Sequence, residues 1–143
     1  MTEPNQYAKD LMKLIQTYPI LPWVSVDVDG GPEAAIKAYN DNKPIPVFAG
    51  DSENTIWGHP RFNWLFRAYH DALHLRNNIP FTLEGEYLVA ELHSMQAEKL
   101  GLYELARAMR IDITAFAVYM EANNEHAPQT ITQDFIDKLT RMA

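Results

Sequence analysis

Cysteine is absent from all 143 residues. That excludes disulfide scaffolds, zinc ribbons, iron–sulfur ligation and thiol nucleophiles, and it fits a reducing compartment. Positive charge is scarce. Twelve Lys and Arg stand against 19 Asp and Glu, a formal net charge of −7. Nucleic-acid backbones and anionic membranes are bound by concentrated Lys and Arg, so neither is expected as a partner. No apolar run approaches the length of a membrane span. The opening MTEPNQYAKD lacks the basic-then-apolar layout of a signal peptide, so the expected location is the cytoplasm. Walker A, GxGxxG and GxSxG patterns are missing, as are HExxH and any ExxH pair. The last two absences disfavour an ordinary metalloprotease helix and a di-iron four-helix site.

What is present reads as one globular domain. Apolar residues make up 47% and charged residues 22%. A chain of this size can bury roughly two thirds of its unfolded surface, so it needs neither metal nor cross-links to fold. Tyr7, Leu11, Leu14 and Ile15 repeat at helical spacing over 4–18, and Pro19 stops the pattern. Residues 23–28 alternate and are rich in valine, as a strand is. Asp29-Gly30-Gly31-Pro32 reads as a turn rather than a calcium loop, because the remaining EF-hand ligands are missing. A short helix is expected over 32–40, a second strand over 44–48, and a polar loop over 50–58. Three helices follow, over 60–77, 82–99 (capped by Thr82, closed at Gly101) and 102–123. Thr130-x-x-Gln133 introduces a last one to Met142. The expected fold class is mainly α, a helical bundle core with a small α/β N-terminal piece of one or two short strands.

Four of the five histidines, His59, His70, His74 and His93, fall within a short stretch. His70 and His74 are four apart on an expected helix, one turn apart on one face, which is how two helical histidines share a metal. At about 100° per residue, Asn63, Arg67, His70, His74 and Asn77 form one stripe with Asp71 at its edge. Apolar residues border it on both sides: Phe62, Phe66, Tyr69 and Leu73 on one, Trp64, Ala68 and Leu75 on the other. A solvated helix face normally carries Lys and Glu, and this helix has neither. Burying such a stripe requires its polar groups to be paired or metal-bound. The competing reading is a surface face or a hydrogen-bonded structural network.

On the next helix Glu86 and His93 stand two turns apart, with Ala90 and Ala97 on the same face. Glu86 or His93 can therefore join His70 and His74. Two histidines and a carboxylate with an open position suit a catalytic centre of zinc, manganese, iron or nickel. Asp71 or Glu86 can serve as base, and Arg67 can hold a small anionic substrate such as a phosphate ester. Each has a structural alternative: Glu86 as a carboxylate favoured by the helix dipole, His93 as a core histidine bonded to a carbonyl, Arg67 paired with Asp71 four residues on. Trp23, Trp57 and Trp64 read as core, and Glu121, Glu125 and His126 as a solvated helix end. Self-association through apolar helix faces is left open, since no heptad pattern is sustained.

The run His59-Pro60, Asn63-x-x-Phe66-Arg67-Ala68-Tyr69-His70-Asp71-x-x-His74, then Phe81, Gly85-Glu86, Ala90 and His93, resembles a group of bacteriophage-encoded proteins of unassigned function. The resemblance spans about two thirds of the chain. It implies a phage or bacterial-host setting and treats the histidine cluster as a unit, without supplying a reaction. A weaker similarity is to HD-domain phosphohydrolases, through His70-Asp71, His74, Pro80-Phe81 and Gly85-Glu86. That family places a further His on an earlier helix and an Asp on a later one. Here only His59, at the start of the same helix, and Asp112 are available, and Leu73 stands where a glycine often precedes the second His. The functional expectation is a metal-binding helical protein acting as a metal-dependent hydrolase. The alternative is a non-enzymatic accessory protein whose His/Asp/Arg/Glu cluster is a hydrogen-bond network.

Overall fold

A computed structural model describes residues 4–124 of the chain. The expected last helix, with Glu125 and His126, lies outside the described residues. Two compact units are distinguished along the chain, Met1–Leu75 and Arg76–Ala143, and each is described by itself.

The first unit holds α1 (Gln6–Thr17), β1 (Trp23–Val26), α2 (Gly31–Asn40), β2 (Ile45–Phe48) and α3 (Pro60–Arg76). Asn5 starts α1: its side-chain oxygen accepts the Ala8 N–H at 2.9 Å, and its amide nitrogen donates to the Ile56 carbonyl at 2.8 Å. One side chain thus caps the helix and ties it to a loop about fifty residues on. The expected apolar face of α1 is the buried one, with Ala8, Leu11 and Leu14 fully enclosed.

β1 and β2 pair in parallel, Trp23 opposite Ile45 through Val26 opposite Phe48. Parallel neighbours need a crossover, and α2 is that crossover. The turn before α2 is closed by Asp29, whose carboxylate accepts the Gly31 N–H at 2.9 Å, as the turn reading requires. β1 is shorter than its valine pattern predicts. Its ladder stops at Val26, and Val28 is 79% exposed. Ile45 and Val47 of β2 are buried with Trp57, Phe62, Phe66 and Tyr69, the aromatic part of this unit's core.

The second unit holds α4 (Leu83–Lys99) and α5 (Tyr103–Asn124), a helical hairpin. Gly101 adopts φ +76°, and the Leu102 N–H returns to the Ala97 carbonyl at 2.9 Å. This left-handed helix stop favours glycine. Between the helices, Ser94 donates to the Ala106 carbonyl at 3.1 Å, and the Arg110 guanidinium grips Glu91 at 2.7 and 2.8 Å. Hydrogen bonding to Glu91 is the chief reason the Arg110 pKa is raised, followed by burial, which opposes it, and the charges of Glu91 and Glu98. Leu88, Val89, Leu92, Leu105 and Met109 are buried.

The chain is therefore mainly helical, with two short parallel strands on the N-terminal side. Among the described residues no helix is long and apolar enough to cross a membrane.

Candidate metal centre

α3 begins at His59-Pro60. The proline fits the first helical turn, where its missing N–H is not needed. The exposed His59 takes a capping part, its Nδ1 accepting the Arg61 N–H at 3.2 Å. It lies at the helix start, with its ring edge-on to Phe62.

The polar stripe of α3 is largely internal, as its apolar borders imply. Asn63 and His74 are buried, Arg67, His70 and Asp71 are half-buried, and Asn77 is exposed. The two halves of the stripe differ in chemistry. In the first half the polar side chains bond to the loop after β2. Asn63 donates to the Ser52 hydroxyl at 2.9 Å, and Trp64, one residue on, donates its indole N–H to the Ala49 carbonyl at 2.9 Å. One terminal nitrogen of Arg67 donates to the carbonyls of Phe48 and Gly50, both at 2.6 Å. The other reaches the Asp51 carbonyl at 3.3 Å. Four successive carbonyls, 48 to 51, thus accept from α3. Sequence reasoning assigned Arg67 to a substrate anion or to Asp71. The structure gives it three backbone acceptors 16 to 19 residues upstream instead.

The second half carries the imidazoles. The rings of His70 and His74 stand edge to face with centroids 4.9 Å apart. One ring nitrogen of each lies within 4.8 Å of the other. Two bonds of about 2.0–2.1 Å span at most about 4.2 Å, so a shared ion draws the two nitrogens to the shorter end of that limit. Phe66 backs His70, ring centroids 6.1 Å apart, and Trp57 backs Phe66 at 4.9 Å. Trp57, His74 and Phe66 are all nearly or fully buried, so these rings have little rotational freedom. Burial, with a smaller contribution from Tyr18, pushes the Tyr69 hydroxyl pKa well above its usual value, so this phenol stays neutral.

In the second unit Glu86 occupies the first turn of α4. Thr82 caps that helix as expected, its hydroxyl accepting the Gly85 N–H at 3.0 Å, while its carbonyl accepts the Glu86 N–H at 2.8 Å. Gly85 is dictated by space, because any Cβ there would collide with the Pro80 carbonyl. The Gly-Glu pair is thus a packing requirement followed directly by a half-buried carboxylate. His93, two turns further along α4, is completely enclosed. Asp112 on α5 is exposed.

Two residues that α3 holds escaped sequence reasoning: Ser52 and Gly50 lay in a stretch read only as polar loop. Trp57, read as core, is buried, and its partner ring Phe66 was not foreseen. A small-residue turn after a strand was the one available signal for the loop, and it did not reveal the loop's partners. The chain matches no family model, and no curated protein and no solved structure shows significant similarity to it.

Proposed function

We propose that the protein binds one divalent transition-metal ion through His70 and His74, with Glu86 as the third ligand. The observation that carries this reading is the pair of ordered imidazoles one turn apart on α3. Glu86 enters as the carboxylate that the sequence reading supplies on the next helix. Two neutral nitrogens and one carboxylate favour zinc, manganese, iron or nickel over magnesium or calcium, which prefer all-oxygen shells.

Three protein ligands leave a coordination position for water, and such a centre supports hydrolysis by lowering the pKa of that water and polarising a substrate oxygen. Asp71, at the edge of the stripe, is the proposed base. Arg67 is not assigned to the substrate, because its guanidinium already serves three carbonyls. The network alternative draws its support from the first half of the stripe, where Asn63 and Arg67 are hydrogen-bonded to the loop after β2.

Elemental analysis of untagged protein tests the reading. Near-stoichiometric transition metal in the parent, lost from a folded His70→Ala/His74→Ala double variant, is the expected result. Glu86→Gln should bind more weakly, by about tenfold or more. A parent chain that takes up none of the four metals on incubation overturns the proposal. A chelator-sensitive melting temperature is the second check, since a metal bound only to the folded state must raise stability.

A further inference from the structure

The strap between α3 and the loop after β2 lies outside the ligand set, yet it connects to the His pair through an unbroken series of contacts. Arg67, Trp64 and Asn63 hold residues 48–52. Ser52 adds a bond from its hydroxyl to the Gly50 carbonyl at 3.0 Å. Asp51 sits at φ +53°, a left-handed conformation that costs a non-glycine residue free energy, and Arg67 holds its carbonyl. The same loop then turns at Thr55, whose hydroxyl accepts the Trp57 N–H at 3.3 Å and whose carbonyl accepts the Gly58 N–H at 3.3 Å. That turn delivers the Trp57 indole onto Phe66, and Phe66 is the ring beside His70.

We infer that Arg67 is a positioning residue for the metal pair. It acts through the loop and the Trp57–Phe66 stack, which together restrict the His70 ring to the orientation that shares an ion with His74. This inference rests on the metal reading but makes a separate claim. The carbonyls of Phe48, Gly50 and Asp51 form a cradle fitted to a planar guanidinium, and freeing that loop relaxes the rings packed behind the ligand. Outer groups that orient ligating histidines typically affect metal affinity by about 10–100-fold.

The test compares metal affinity, by competition with a chromogenic chelator, with the melting temperature of the metal-free chain. Arg67→Ala should lose about tenfold or more in affinity for zinc. Guanidinium chloride at sub-denaturing concentration should restore much of it by occupying the vacated cradle. Leu14→Ala, in the fully buried face of α1, should lower the melting temperature comparably and leave the affinity unchanged. If Arg67→Ala fails to fold, Trp64→Phe removes one bond of the strap while keeping a ring, and should weaken zinc binding severalfold. A folded Arg67→Ala or Trp64→Phe variant with parental affinity overturns the positioning role and leaves the metal reading intact. An equal affinity loss in Leu14→Ala also overturns it, since the effect would then be general destabilisation. A parent that binds no metal overturns both proposals.

Discussion

Two arginines, one in each unit, do opposite kinds of work. Arg67 in the first unit directs its charge at neutral backbone carbonyls of a loop distant in sequence. Arg110 in the second unit meets two carboxylates, Glu91 at 2.7 Å and Glu98 at 3.4 Å, with its side chain 40% exposed. The pairing with higher formal charge is the one expected to matter less. Exposed ion pairs gain little over water and are screened by salt. A charged donor shared by two part-buried carbonyls and an exposed third is different, because its removal leaves the part-buried acceptors unsatisfied together. Chain architecture explains the difference. The hairpin of α4 and α5 already makes its backbone bonds within helices, so Arg110 only adds to a formed interface. The loop after β2 makes few backbone bonds of its own, and Arg67 supplies what secondary structure supplies elsewhere.

The comparison breaks most readily at its larger end. Arg67→Ala should destabilise the chain by about 1.5–3 kcal/mol in urea unfolding, the range for hydrogen bonds to a charged group. The loss should change little between low and high salt. A cost equal to that of Arg110→Ala would remove the distinction.

Tyr69, two residues along α3, extends the comparison to a group buried in its neutral form. Its folded pKa is raised above the unfolded value near 10, chiefly by burial. The associated stability is therefore complete below pH 10 and falls as pH rises beyond it, by up to about 1.4 kcal/mol per pH unit. Tyr69→Phe should remove that alkaline slope in unfolding free energy measured from pH 9 to 11. An unchanged slope would place the alkaline transition elsewhere.

Arg110→Ala should cost least, about 0.5–1 kcal/mol at low ionic strength, because exposure discounts the ion pair. Added sodium chloride should shrink the difference from the parent further. A salt-independent loss would mean that the aliphatic stem of Arg110, and not its charge, holds the hairpin.

Much of the fold was legible before any coordinates. Helical periodicity placed α1 and α3, Thr82 and Gly101 marked the ends of α4, and valine alternation found β1. These are local signals, in which a side chain reports on backbone within a turn of itself. The β1 ladder ran shorter than its valines because its length depends on the partner strand, which ends at Phe48. The burial of the α3 stripe was legible too, from apolar residues on both of its borders. The destination of Arg67 was not. Asp71 was a reasonable local partner at helical spacing, and nothing near Arg67 in sequence points to the carbonyls of residues 48 to 51.

The sequence by itself determined which side chains share a helix face, so the neighbourhood of His70 and His74 followed from their spacing alone. It also determined the exclusions, since a chain without cysteine cannot hold a metal through a thiolate. Only the tertiary structure decided how the two halves of one stripe divide their work. Backbone carbonyls carry no residue identity, so a loop that offers four of them to α3 leaves no mark in the amino-acid alphabet. The stacking of Trp57 on Phe66 behind His70 was equally hidden, because contact between rings far apart in sequence depends on where a loop turns back.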